Sequence, residues 1–244
     1  MDYGFVVVHV PHASVNIPPR YRRGMLLDDG ALAREMVAVT DAFCNELYNL
    51  PGIGEMITAP VSRLVCDMER FRDDEKEPCV AKGQGLLYTH TIDGKRLREN
   101  CAALREEVLD KFYDPHHRRL TAAVDKALEK YGKCLIIDGH SFLVEGADFD
   151  IGTDGFHTPA ALRDGLCERV EARGFSWAVN SPYAGTMVPM KHYGKDRRVA
   201  SVMIETNRRL YQVPGKLEKN GDFEKIRDLC HELMRTAAAL FVAL

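Results

Sequence analysis

The sequence predicts an α/β fold, in which helices cover a sheet, from the order of its apolar patterns. Short runs rich in β-branched residues alternate along the chain with longer segments of helical period. The runs that predict strands are residues 5–10, 61–68, 134–138, 175–179 and 199–205. Because no internal repeat, low-complexity tract or linker interrupts this alternation, we expect one domain over residues 1–244.

Helices are predicted between these strands from apolar spacing and from end signals. The predicted helices cover residues 32–47, 97–112, 114–131, 158–174 and 222–240. Asp114 and Thr158 each precede a proline, a pair typical of a helix start, and Gly132 is typical of a helix end. Residues 70–87 and 142–157 fit neither pattern, and we expect functional loops there.

Composition excludes several classes of protein. The chain has 33 Lys and Arg against 36 Asp and Glu, and 45% of its residues are apolar, which argues against disorder and against nucleic-acid binding through bulk charge. No apolar run approaches the roughly 20 residues of a membrane span. The seven scattered cysteines form no CxxC pair and predict neither disulfides nor a thiolate zinc site. With no leader at the N-terminus, we expect a cytoplasmic chain.

Polar residues break four of the predicted strands near their carboxyl ends, where open α/β sheets bind ligands. They are His12; Arg63, Asp67, Glu69 and Arg70; Asp138, His140 and Ser141; and Glu205, Asn207 and Arg208. A single strand-end histidine is equally explained by a hydrogen bond to a backbone carbonyl. Two of them together with a strand-end glutamate favour a metal hydrolase, since zinc binds imidazole and carboxylate and a nearby carboxylate can take a proton from water.

Eight motifs in order along the chain resemble the N-formylglutamate amidohydrolases. They are VPHASVNIP, TDAFCNELY, SRLVCDMERF, YDPHHRRL, IDGHSF, DIGTDG, NSPYAG and VMIETNRRLY. The layout is more remotely similar to zinc carboxypeptidases and aspartoacylase. This resemblance implies a three-layer sandwich with a mixed, mostly parallel central sheet flanked by helices, zinc carboxypeptidase-like, that binds one zinc ion.

The resemblance also implies roles for individual residues. It makes His12 and His140 metal ligands, Glu205 the general base, Arg63 and Arg70 clamps for a substrate carboxylate, and Asp67 the partner of the outer nitrogen of His12. Glu69 stands where the related pattern has asparagine, and a carboxylate there would repel an anionic ligand unless Arg70 neutralises it. Asn180 and Tyr183 are candidates for the substrate pocket, although a plain turn explains them equally well.

The third metal ligand is the weakest point of the resemblance. Carboxypeptidase-like enzymes carry a glutamate three residues after the first histidine, but Val15 occupies that position here. The resemblance instead makes Asp41 the candidate. On a single helix over residues 32–47, Asp41 would lie roughly 160° from the apolar stripe. Either the helix breaks near Thr40, or Asp41 is a surface charge.

Among the other histidines, we expect His116 to be exposed and His117 to lie at the edge of the core. The leading functional hypothesis is a zinc-dependent amidohydrolase that cleaves the amide bond of an N-acyl amino acid, most of all N-formyl-L-glutamate, which would give glutamate and formate. We expect this small molecule to be its binding partner and expect the chain to bind neither nucleic acid nor a membrane. The alternatives are a catalytically silent domain that binds an anionic amino-acid derivative or a metal, and a carboxypeptidase-like peptidase.

Overall fold

The computed structural model describes residues 3–244, which are organised around a six-stranded sheet. The strands are β1 (Tyr3–Val10), β2 (Ile53–Thr58), β3 (Cys134–Phe142), β4 (Phe149–Gly152), β5 (Trp177–Val179) and β6 (Val199–Asn207). Their spatial order is β2-β1-β3-β6-β4-β5, and all neighbours are parallel except β4 and β6. The mixed, mostly parallel sheet flanked by helices is confirmed.

Helices cover both faces of this sheet. The α-helices of residues 3–244 are α1 (Pro19–Arg22), α2 (Asp29–Val39), α3 (Cys44–Leu47), α4 (Ala102–Val108), α5 (Asp114–Tyr131), α6 (Ala160–Ala172) and α7 (Phe223–Ala243). Of these, α1, α2 and α4 pack in a separate apolar cluster. The longest helix on one face is α5, whereas α3, α6 and α7 cover the other. None of these helices, over residues 3–244, has both the length and the apolar composition that crossing a membrane requires.

Alternation along the strands divides the core into two layers, because successive side chains point to opposite faces. In β1, Val6 and Val8 pack in the cluster that includes α6 and α7, whereas Val7 packs against α5. The long strands β1, β3 and β6 are buried on both faces, as parallel strands generally are, and therefore appear in the sequence as continuous apolar runs.

The strand predictions fail in three places. β2 and β4 were not predicted, and β4 lies inside the expected loop 142–157. Residues 61–68 were predicted as a strand but form turns. In these turns the Ser62 hydroxyl accepts a hydrogen bond from the amide of Leu64, and the Asp67 carboxylate accepts one from the amide of Glu69. Such side-chain bonds offer the backbone an alternative to a sheet ladder.

Two helix predictions also need correction. The helix predicted over residues 32–47 breaks after α2, because Thr40 is extended and Phe43 has a positive φ of 64°. The helix predicted from residue 97 begins only at α4, and a π-helical turn joins it directly to α5. Asp114 therefore lies within a continuous helix and does not cap its start, whereas Gly132 ends α5 in the left-handed conformation, as expected.

Candidate active site

The face of the sheet that α5 covers changes from apolar to polar along the strands. At the amino ends of β1 and β3, Val7 and Ile136 pack against α5. Two residues further along the same face of each strand come His9 and Asp138, which lie opposite each other in the sheet. His140 follows Asp138 on this face, and Glu205 is its neighbour on β6. Strand register therefore brings four ionisable side chains to the carboxyl end of the sheet.

His12 lies two residues beyond the end of β1 and is buried. Its Nε2 is 2.8 Å from Oδ1 of Asp67. Its Nδ1 faces a different pair of carboxylates, 3.6 Å from Oδ2 of Asp41 and 3.7 Å from Oε2 of Glu69. One nitrogen of His12 is thus used by a neighbouring carboxylate, and the other points to a shared centre.

His140 is arranged in a similar way, and its ring centroid is 5.2 Å from that of His12. Its Nδ1 is 3.1 Å from Oδ2 of Asp41, and its Nε2 lies 3.1 Å from Asp138 and 3.2 Å from Glu69. Burial alone would raise the pKa of Asp138. The charges of His140 and His9, and the hydrogen bonds that both rings make to Asp138, instead hold that pKa well below the ordinary value. Asp138 is therefore an ionised acceptor.

Asp41 reaches the centre because the helix breaks before it. The break after α2 turns Asp41 inward, where it is only 3% exposed. Arg208 donates from Nη2 to Asp41 at 2.8 Å and from Nη1 to the carbonyls of Val37 and Ala38. Burial would raise the pKa of Asp41, but bonds from His12 and His140 and the charge of Arg208 hold it well below the ordinary value. Of the two alternatives for Asp41, the structure supports the broken helix.

Asp67 is the best-bonded carboxylate in the site. Arg63 donates to it from Nε at 3.0 Å and from Nη2 at 2.8 Å, and the Tyr88 hydroxyl donates at 3.1 Å. Arg70 lies 3.7 Å away, and its Nε donates to the carbonyl of Gln84. Much of the Arg63 guanidinium is thus used by Asp67, whereas Arg70 makes fewer close bonds.

Glu205 is buried at the carboxyl end of β6. Its Oε2 has no hydrogen-bond partner among residues 3–244. Burial raises the pKa of Glu205 to about 8, against the attraction of His140 and with the repulsion of Asp41. Tyr183 is 46% exposed, and both its partial burial and the charge of Glu205 raise the pKa of its hydroxyl.

The residues of the site could hold a divalent cation. Ligand atoms of His12, Glu69 and His140 lie within 4.8 Å of one another, as do those of His9, Glu69 and Asp138. Carboxyl groups outnumber guanidinium groups in the site by five to three. These eight groups are Asp41, Asp67, Glu69, Asp138 and Glu205, and Arg63, Arg70 and Arg208. A carboxylate-rich site favours a cation, and imidazole and carboxylate suit zinc.

Some site residues differ from expectation. His116 was expected to be exposed, but it is 2% exposed and bonded to His9. Glu69 faces both histidines, although it was expected only to repel an anionic ligand. The side chain of Asn180, which follows β5, bonds to the loop after β4: its Oδ1 accepts from the amide of Thr153 and its Nδ2 donates to the hydroxyl of Thr153. The signal that could have found His9 is its position on the same strand face as Val7.

The chain is similar to known proteins over most of its length. Residues 5–212 match the N-formylglutamate amidohydrolase family. The chain is 28% identical to the N-formylglutamate deformylase of Pseudomonas putida, an alignment that covers 84% of this chain and 81% of that protein.

Two crystal structures share the fold. The N-formylglutamate amidohydrolase from Ralstonia eutropha matches with a TM-score of 0.84 at 20% identity, covering 98% of this chain and 95% of that one. A gene product of Agrobacterium tumefaciens matches with a TM-score of 0.72 at 22% identity, covering 97% and 91%. Because the family match spans most of the sequence, the chain belongs to the N-formylglutamate amidohydrolase family.

Proposed function

We propose that this protein hydrolyses the amide bond of an N-acyl amino acid, with N-formyl-L-glutamate as substrate and glutamate and formate as products. The observation that carries the proposal is the pair of buried histidines beside Glu205. Each histidine places one ring nitrogen on a carboxylate and turns the other toward a common centre. This is how histidine ligands are oriented in metal hydrolases, and family membership favours the amide substrate.

We assign the cation to zinc, held by His12, His140 and a carboxylate, Asp41 or Glu69. The fit rests on the donor types, on the spacing of the group and on the excess of carboxyl over guanidinium groups. When bound, such an ion supplies Lewis acidity, which polarises a carbonyl and lowers the pKa of a water molecule.

Glu205 is the general base in this proposal. Its Oε2 has no hydrogen-bond partner among residues 3–244 and can accept a proton from water once the carboxyl group is ionised, which a bound cation would favour by lowering the pKa of Glu205. Glu205 lies on the strand next to His140. After attack on the formyl carbon, the same carboxyl group returns the proton to the leaving amine of glutamate. Burial of Glu205 keeps bulk water away from this transfer, so that the proton passes between the carboxyl group and the substrate.

Arg70 is the better candidate for the substrate carboxylate. The fork of Arg63 already holds Asp67 through two bonds. In Arg70, Nη2 has only a long contact of 3.5 Å to the Tyr88 hydroxyl, and the side chain is 20% exposed. A guanidinium with unused donors at a solvent boundary suits a carboxylate ligand. Arg63 would then act mainly through Asp67, and Tyr183 would line the pocket.

The test measures zinc content and formate release for the parent protein and for Glu205→Gln. We expect the parent to bind one zinc ion and to hydrolyse N-formyl-L-glutamate. The variant should retain its zinc but lose roughly 10²- to 10⁴-fold in kcat, the usual contribution of a general base.

Glu35→Gln is a matched control, because Glu35 is also a buried glutamate but bonds to the amide of Ile92, outside the site. Its kcat should equal that of the parent. If the parent protein binds zinc or N-formylglutamate but releases no formate, the protein is a catalytically silent binding domain and not an enzyme. Full activity in Glu205→Gln would remove the assigned base.

A further inference from the structure

A group of buried polar side chains lies behind His140 and takes no direct part in the proposed reaction. His116 on α5, His9 on β1 and Asp138 on β3 are 2%, 0% and 0% exposed. Nε2 of His116 is 2.9 Å from Nε2 of His9, and Nδ1 of His9 is 2.7 Å from Oδ1 of Asp138. Together with the 3.1 Å contact from Asp138 to His140, these bonds form a chain from the helix layer to the site.

The direction of each hydrogen bond in this chain follows from Asp138. Oδ2 of Asp138 accepts from the amide of Met187 at 2.7 Å, and a carboxylate oxygen that lies within reach of two ring nitrogens can accept from both. Oδ1 of Asp138 faces both His9 and His140, so that His9 donates from Nδ1 and His140 donates from Nε2. A neutral imidazole has one N–H, and His9 therefore presents a bare Nε2 to His116.

The remaining bond then fixes His116. Since Nε2 of His9 accepts, Nε2 of His116 must donate, and Nδ1 of His116 carries the lone pair. That nitrogen is the buried atom of His116 that has no hydrogen-bond partner among residues 3–244. An unpaired acceptor on a neutral ring is the arrangement that the rest of the chain requires.

We propose that His116, His9 and Asp138 are positioning residues that set the tautomer and the orientation of His140. With its Nε2–H held by Asp138, His140 would offer Nδ1 to a cation, which would take the place of the proton that Nδ1 shares with Oδ2 of Asp41, 3.1 Å away. His12 does the same, because its Nε2 is held by Asp67 and its Nδ1 faces Asp41. Both histidines thus place Nδ1 next to the same carboxylate oxygen, an arrangement that favours Asp41 as the third ligand. Binding of His140 through Nε2 would instead favour Glu69, whose ligand atom also lies within 4.8 Å of those of both histidines.

Glu69 shows why such a chain is needed. Its Oε1 lies 3.2 Å from Nε2 of His140, almost as close as Asp138, and it competes for the same nitrogen. Without Asp138, a ring flip or the other tautomer would let His140 bind the cation through Nε2 together with Glu69. The chain behind Asp138 secures one arrangement, since Asp138 is itself held on both oxygens.

This inference rests on the proposed function, and the test separates the two. Zinc affinity is measured by titrating zinc chloride into the metal-free protein against a chelator, with kcat, KM and the melting temperature measured on the same samples. In His116→Phe the donor to His9 is absent, whereas in His116→Gln an amide can replace it. We expect about a tenfold loss of zinc affinity in His116→Phe, and His116→Gln within about threefold of the parent.

His192→Gln is the control, because His192 is also buried and pairs with a carboxylate, Asp125, but at a surface groove. It should leave zinc affinity unchanged. The inference is overturned if His116→Phe binds zinc as tightly as the parent. It is also overturned if zinc affinity falls equally in His116→Phe and His116→Gln and the melting temperature falls with it in both. A parent that neither binds zinc nor hydrolyses the substrate overturns the proposed function and this inference with it.

Discussion

The two histidines of the site are held by different kinds of structure, although their surroundings are chemically similar. His140 lies inside β3, and its carboxylate partner Asp138 is two residues earlier on the same strand. His12 lies beyond the end of β1, and its partner Asp67 belongs to the turns of residues 61–68. We call these the sheet half and the loop half of the site.

The two halves obtain their precision from different sources. In the sheet half, strand register places Asp138 and His140 beside His9 and Glu205, so the backbone sets the geometry. In the loop half, a single carboxylate sets the geometry, because Asp67 bonds to His12 and also accepts hydrogen bonds from Arg63 and Tyr88. A substitution in the loop half should therefore disturb mainly the contacts of Asp67, whereas a substitution in the sheet half should also displace the neighbouring strands.

The largest effect is expected for Arg63→Met in the loop half. The substitution removes both guanidinium bonds and leaves Asp67 buried with Arg70 3.7 Å away. Breaking a buried ion pair on one side costs about 3 kcal/mol or more of unfolding free energy. We also expect a large fall in zinc affinity, since His12 loses a fixed partner. Urea unfolding and chelator competition measure the two effects.

The control for this variant is Arg20→Met, which breaks an exposed ion pair with Glu107. Solvent screens that pair, so the urea midpoint should not move measurably. If Arg63→Met also leaves the midpoint and the zinc affinity unchanged, Asp67 does not organise the loop half, and the two halves do not differ in the way described.

A smaller effect is expected for Gly139→Ala in the sheet half. Gly139 lies between Asp138 and His140, and an added Cβ would be 2.5 Å from the ring of Tyr48, whose hydroxyl donates to the carbonyl of Ile204. Relieving this overlap requires β3 to move, at a cost of about 1 to 3 kcal/mol of unfolding free energy. Because β3 carries the site, zinc affinity should fall with stability.

Gly155→Ala is the matched control, since nothing lies within 4 Å of an added Cβ there. It should unfold at the same urea concentration as the parent. A Gly139→Ala protein that loses stability but keeps the parent's zinc affinity would show that the sheet half tolerates strand movement, contrary to the comparison.

The sheet half was also the more predictable half of the fold. Long buried strands appear in the sequence as apolar runs, and β1, β3 and β6 were found for that reason. β2 was missed because its exposed middle residues Gly54 and Glu55 interrupt the pattern. Residues 61–68 were misread as a strand because their apolar side chains are buried, while the polar bonds that turn the backbone do not appear in a hydropathy pattern.

For the candidate site, sequence position identified residues better than it identified their contacts. His12, His140 and Glu205 could be singled out because a polar residue at the end of a buried strand is unusual. The burial of His116 could not, because helical periodicity does not say how the start of α5 meets β1. Glu69 could not either, since its approach to both histidines depends on turns that only the folded chain defines.

The smallest effect is expected for Tyr88→Phe, which tests how much Asp67 depends on each partner. The substitution deletes the hydroxyl that donates to Asp67 at 3.1 Å but leaves both bonds from Arg63. One hydrogen bond contributes about 1 kcal/mol, so the loss of unfolding free energy should be of that size. The fall in kcat/KM should be less than about tenfold.

Tyr21→Phe provides the comparison for this last variant, because Tyr21 is a buried tyrosine that donates to the carboxylate of Glu107 outside the site. Both variants should lose similar stability, but only Tyr88→Phe should lose activity. Equal activity in the two would mean that the Arg63 fork alone suffices to hold Asp67. If Tyr88→Phe lost as much unfolding free energy as Arg63→Met, Asp67 would need all of its partners at once. The loop half would then be as cooperative as the sheet half.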